Sequence, residues 1–221
     1  MVDAMLRSRR RRAVERMAVA AERYAGLGWP VCAGAFPPDG KARPGEAARA
    51  CSCDRIGCPA PGAHPVSPAW QIQASADPAL IGQWWMASPE ANVILVTGRV
   101  FDVFDVPAPA GLAALATMQR AGVRPGPVAV GPGNRAFFFV LSRAAHSGED
   151  EWWSCHLDCE PEILADVAGL RWHCRDSYVL APPSRIGSGP PARWVRDPAG
   201  SPLPDGLRLL EVLADVCVEV G

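Results

Sequence analysis

The chain has 221 residues, 49% of them apolar, a formal net charge of −1 and a pI near 6.4. That is enough apolar material for a buried core, and the balanced charge excludes the global basic field that marks many nucleic-acid binders. No apolar run reaches membrane-spanning length and the N-terminus lacks the apolar stretch of a signal peptide, so the expectation is a cytoplasmic protein with no membrane partner, its thiols reduced.

Residues 1–13 carry Arg7 and Arg9 to Arg12 and read as a basic, solvated extension. Val14, Met17, Ala18, Ala21 and Ala25 then recur at helical spacing, and Gly26 and Gly28 end the helix. Trp29 to Ala33 reads as a buried strand. Pro37 to Pro68 is an irregular excursion too long for a compact domain unless something other than a core orders it. Asp77-Pro78 is an N-cap and first-turn pair for a helix through Trp84 and Trp85. Asn92–Thr97 and Val100–Val106 read as successive buried strands turned at Gly98-Arg99, followed by a helix from Pro109 to Arg120 that Gly122 stops.

Val128–Val130 and Ala136–Leu141 suggest a hairpin around Pro132-Gly133-Asn134. Pro161 is expected to open a short helix. Gly169–Cys174 and Tyr178–Ala181 read as another strand pair before Pro182-Pro183. A last helix, Asp205 to Val218, puts Leu209, Leu210, Leu213 and Val216 on one face. Strands and helices mixed around one sheet make the fold α+β, with a main domain over 14–200 and a helix in 201–221 packed on it.

The strongest chemical signal is Cys51, Cys53, Cys58 and His64 in a segment of turn-forming residues. Three thiols and an imidazole are a common tetrahedral Zn²⁺ set, and a metal gives a loop the order that hydrophobic packing cannot. Free cysteines, or a Cys51–Cys53 or Cys53–Cys58 disulfide, are the alternatives, and a structural zinc at 51–64 is the expectation. Cys155, His156 and Cys159, with His173 and Cys174, are either a second metal site or buried small hydrophobes. Trp84-Trp85, Trp152-Trp153 and Phe137 to Phe139 are either core or stacking surface for single-stranded bases.

Several segments taken in order resemble the bifunctional DNA primase/polymerase N-terminal (prim-pol) domain, of the archaeo-eukaryotic primase type. Gly28-Trp29-Pro30-Val31 is similar to its opening, Gly40-Lys41 to its Gly-Gly-Lys loop, and the cysteine cluster to its zinc-binding insertion. Trp84-Trp85 with Pro89 and Ala91-Asn92-Val93, then Thr97-Gly98, resemble its helix-to-strand stretch. Tyr178 to Ser184 is close to its GYVVAPPS signature. The resemblance covers about residues 14 to 196. It implies a palm with an RRM-like, mostly antiparallel sheet backed by helices and a zinc-stabilised loop insertion.

The resemblance also implies nucleotidyl transfer with Mg²⁺ or Mn²⁺ held by two acids at i and i+2 on one strand and a third on a neighbour. The chain departs from that set. Asp105 matches the first acid, Pro107 stands at the second, and Arg171 at the third. Ala136 takes the place of a histidine that contacts nucleotide phosphates. Asp102, three residues from Asp105, points to the other face of a strand and reads as an anchoring residue. Asp105 is therefore the remaining catalytic candidate, expected to pair with Arg171 in place of a metal. Arg135, Arg171 and Lys41 are the candidates for nucleotide or phosphate binding.

Three readings follow for activity. The first is a primase/polymerase-like protein that binds nucleotide, single-stranded or primed DNA, or a replication or helicase partner, with weak or lost transfer. The second is an active enzyme with an altered metal set, such as Asp105 with Asp176. The third is a non-catalytic, zinc-containing interaction or regulatory module.

Overall fold

The computed structural model describes residues 15–38, 51–53, 55–143, 162–163, 169–187 and 189–220. Lys41, Trp152-Trp153 and the Cys155, His156 and Cys159 segment lie outside the described residues. The chain divides into two compact units, residues 1–95 with 180–191 and residues 96–179 with 192–221.

The first unit opens with helix α1 over residues 15–26, where Met17, Ala21 and Ala25 are buried as the spacing predicts and Tyr24 joins them. Gly28, at φ +75°, turns the chain into strand β1 (Val31–Gly34). Tyr24 stacks on Trp29, their rings 6.1 Å apart and nearly parallel. Its hydroxyl donates to Pro182 O at 2.6 Å. A single helical turn, α2 (Trp70–Gln73), carries no sequence signal beyond its buried Trp70. Helix α3 (Pro78–Ala87) starts as expected, Asp77 accepting from Ala79 N at 2.9 Å. It docks through Trp85, whose Nε1 donates to Ala91 O.

Strand β1 pairs antiparallel with β2 (Asn92–Val96) in a three-stranded sheet of order β1-β2-β8, where β8 is Tyr178–Leu180. The segment after β8 continues the seal along β2. Ala181 N donates to Val93 O, and the Ser184 hydroxyl both accepts from Val93 N at 2.8 Å and donates to Val93 O at 3.2 Å. The Ala181–Ser184 part of the signature thus satisfies backbone groups of a buried strand that would otherwise be orphaned.

The second unit is a six-stranded antiparallel sheet of order β6-β7-β3-β5-β4-β9. Its strands are β3 (Phe101–Pro107), β4 (Val128–Gly131), β5 (Arg135–Leu141), β6 (Glu162–Ile163), β7 (Arg171–His173) and β9 (Arg193–Arg196). Helices α4 (Ala108–Arg120) and α5 (Gly206–Val220) supply the rest of its core. Phe104, Val106, Phe138, Val140 and Trp172 of the sheet pack with Met118 of α4 and with Leu209, Leu213 and Val216 of α5. Each such side chain removed from water contributes about 1.5–3 kcal/mol. Helix α4 meets the sheet through small residues: a Cβ on Gly111 would lie 2.5 Å from the Ala136 Cβ.

The α+β architecture with antiparallel sheets backed by helices agrees with the expectation, but its connections differ in three places. β2 and β3 do not form a hairpin about Gly98-Arg99, because they belong to different sheets. β7 and β8 separate in the same way. Glu162–Ile163, where Pro161 suggests a helix, is the edge strand β6. Alternation and buried runs mark strands but carry no record of the partner, which long-range contacts choose.

Candidate functional site

Residues directly opposite each other on antiparallel strands share a face. Asp105 lies between Phe137 of β5 and Arg171 of β7, while Val103 lies opposite Phe139 and His173. One face of the second unit's sheet therefore carries Asp105, Phe137, Arg171 and His173. Asp102 points away from that face, as its spacing predicts. It is buried, and its Oδ2 accepts from Arg143 N at 3.2 Å. Burial pushes the Asp102 carboxyl above the ordinary carboxylate range, with the Arg143 N–H acting against that shift.

The carboxylate of Asp105 is buried and held from two strands. Arg135 Nε donates to Oδ1 at 2.6 Å, and its Nη2 reaches Asp105 O at 2.9 Å and Gly169 O at 2.6 Å. His173 Nε2 lies 3.4 Å from Oδ2, and its Nδ1 lies 3.0 Å from the buried Ser177 hydroxyl. Phe137 meets the imidazole edge-on. The ion pair of Asp105 is thus with Arg135, not with Arg171. Arg171 shares the face and register but is exposed, and makes no ion pair among the described residues.

The departures from the expected acid set form one consistent packing arrangement. Pro107 lies against Gly169: a Cβ there would sit 3.1 Å from the proline ring, and the glycine adopts φ +82°. That contact brings the Gly169 carbonyl within reach of the Arg135 fork. Ala136 belongs to the helix-backed core, opposite Val106 and against Gly111, so it does not face Asp105. The residue that β5 delivers to the site is Arg135. The sequence offers Arg135 as a phosphate-binding candidate of this site but pairs Asp105 with Arg171; the pairing with Arg135 follows from the register, because one residue along a strand exchanges the faces.

Asp176 does not join Asp105. It sits, exposed, in the turn after β7, beside Arg175. With Arg171 opposite Asp105, the turn lies beyond the end of β7 at His173, past the last residue that pairs with β3. Ser177 carried no site signal in sequence, and His173 carried one only as a candidate for a second metal site; the register of β7 turns it instead to Asp105.

In the first unit, Cys51, Cys53, Cys58 and His64 present ligand atoms that all lie within 4.8 Å of one another, and this is the one such group found among the described residues. Cys51 Sγ and His64 Nε2 are 3.4 Å apart. A tetrahedron with Zn–S near 2.3 Å has edges of roughly 3.5–3.8 Å, so the donor set fits a metal ion. His64 Nδ1 lies 2.8 Å from Pro65 O, a contact that leaves Nε2 for a metal. The Arg55 N–H draws the Cys53 thiol down to about 6, towards the thiolate that metals take.

Glycines at φ +69° and +73°, Gly57 and Gly62, shape the loop. Ala35 N donates to His64 O and Val66 N to Ala33 O, pinning the loop to β1. Cys51, Cys53 and Cys58 are free thiols, as are the buried Cys32 and Cys217. Burial raises the Cys32 thiol to about 12, the behaviour of a core residue. Of the second cysteine group only His173 and Cys174 are described; His173 turns to Asp105, and Cys174 is disulfide-bonded.

Among the aromatics considered for stacking, Phe137, Phe138, Phe139 and Trp85 are buried, and Trp84 is half-buried. No described helix is long and apolar enough to cross a membrane.

The family model for the N-terminal domain of bifunctional DNA primase/polymerase matches residues 21–206. No curated protein matches the chain.

Proposed function

Because the chain belongs to the bifunctional DNA primase/polymerase N-terminal domain family, we propose that it is a primase/polymerase-like protein that binds the phosphates of nucleotides or of DNA without efficient nucleotidyl transfer. The observation that carries this reading is the state of Asp105. The acid at the expected metal position is buried, one oxygen taken by Arg135 at 2.6 Å and the other facing His173. Mg²⁺ needs carboxylates free to coordinate it, and two-metal transfer needs more than one of them. Here a guanidinium stands in the cation's place and Arg171 repels a second cation.

The same cations suit an anion. Arg171 is exposed on the site face, opposite a carboxylate that Arg135 already neutralises, and its planar fork matches phosphate oxygens. Lys41 is proposed to add to phosphate binding, and the Cys51–His64 loop to hold a structural Zn²⁺. A replication or helicase partner in the cytoplasm would supply what the chain's chemistry lacks.

The test is binding of a fluorescent dNTP and a primed oligonucleotide in EDTA, run beside primer extension with Mg²⁺ or Mn²⁺. Binding should survive EDTA, weaken about tenfold or more in Arg171→Ala, as expected for loss of a charge-assisted phosphate contact, and be accompanied by no extension. Template-dependent incorporation that Asp105→Ala abolishes would overturn the reading.

A further inference from the structure

Asn92, the first residue of β2, is buried among backbone groups of two loops far from it in sequence. Its Nδ2 donates to Gly62 O and to Arg185 O, both at 2.8 Å, and its Oδ1 accepts from Arg185 N at 3.2 Å. Both amide hydrogens and the oxygen are used, which only an uncharged carboxamide can do here. Gly62 in turn donates from its own N–H to Cys51 Sγ at 3.3 Å. The Gly62 peptide is therefore gripped at its carbonyl by Asn92 while its N–H supports a candidate ligand sulfur. Its φ of +73° and the Pro37 ring, 3.1 Å from where a Cβ would lie, leave it little room to adjust.

We propose that Asn92 is a positioning residue of the Cys51–Cys53–Cys58–His64 metal centre, coupling metal loading to the order of the turn at Pro182–Arg185. The inference rests on the metal reading of that loop and is independent of phosphate binding. Groups that orient metal ligands without touching the ion typically change metal affinity 10- to 100-fold when removed. The coupling is reciprocal: a metal that fixes Gly62 also fixes Asn92, and with it the Arg185 backbone.

The experiment measures zinc content and zinc affinity, by competition with a chromophoric chelator, for the full chain and for Asn92→Ala and Asn92→Asp. Hydrogen exchange of the wild-type chain, with and without the chelator, follows the Arg185 and Phe138 amides. We expect one zinc per chain, affinity lowered about 10- to 100-fold in both variants, and Arg185 exchange at least several-fold faster after chelation with Phe138 unchanged. Wild-type protein that holds zinc but shows the same Arg185 exchange with and without it overturns the coupling, even if the variants fail to fold. Folded variants with wild-type zinc affinity overturn the positioning role, and wild-type protein without zinc affinity overturns the metal reading and the proposal together.

Discussion

Asp105 and Arg171 stand directly opposite each other on β3 and β7, yet the carboxylate is bonded to Arg135 of β5, at 2.6 Å. The guanidinium of Arg135 also grips two backbone carbonyls, so it fastens the end of β3 to the segment leading into β7. A cation that belongs to the chain thus occupies the neighbourhood of the expected metal acid.

Removing that cation should be costly. Arg135→Ala leaves Asp105 buried with His173 as its remaining side-chain hydrogen-bond partner among the described residues, and breaking a buried pair from one side costs about 3–5 kcal/mol. Urea unfolding should show most of that loss. Adding Asp105→Asn should recover part of it, since the uncompensated charge disappears. A double variant no more stable than Arg135→Ala would show that the lost backbone bonds, not the charge, carry the effect.

Asp102 should make stability depend on pH. Its carboxyl is raised above the ordinary range by burial, so the folded state holds its proton more tightly than the unfolded chain. Between the ordinary carboxylate value and the raised one, this residue's contribution to stability falls as pH rises. Asp102→Asn keeps an acceptor for Arg143 N and removes the buried charge. Its Tm should exceed that of the parent at pH 7 by a few degrees, at roughly 2–4 °C per kcal/mol. The gap should close below about pH 4, near the unperturbed carboxylate value. An equal gap at both pH values would exclude the carboxyl as its source.

Metal removal should destabilise the first unit. A ligand present at 100 times its Kd stabilises a fold by about 2.7 kcal/mol. Thermal scans with zinc and with a chelator should therefore separate for the parent chain and coincide for Cys51→Ser. Coincident scans for the parent would mean that the four donors hold no zinc in solution.

Gly98 should tolerate no side chain. It has φ +83°, and a Cβ there would lie 2.2 Å from the Arg175 Cα, inside the turn that leads from His173 to Ser177. Gly200 has a similar φ of +88° but open space around it. Backbone strain of this kind costs about 1–3 kcal/mol, so Gly200→Ala should lower Tm modestly and Gly98→Ala far more. Equal losses would show that dihedral strain alone, and not the close approach, restricts position 98.

The α+β class, the capped helix at Asp77-Pro78, the opposite orientation of Asp102 and the metal-ligand set were all legible along the chain. Each is a local property: the period of a strand or helix, a cap, or donors close in sequence. The partner of Asp105 was not. Arg135, Arg171 and Ala136 were all visible as residue types, but a shift of one position decides which of them meets the carboxylate. That register is fixed by strand pairing and by the Gly111–Ala136 contact beneath the sheet.

The partners of His173 and Asn92 were hidden for the same reason. An imidazole or a carboxamide gains a role only from the groups that distant segments bring against it. The sequence by itself determined the α+β class, the family and the Cys/His set that could hold a metal ion. Only the tertiary structure decided that Arg135 takes the place beside Asp105, because cross-strand pairing, not spacing along the chain, sets which side chains share a face.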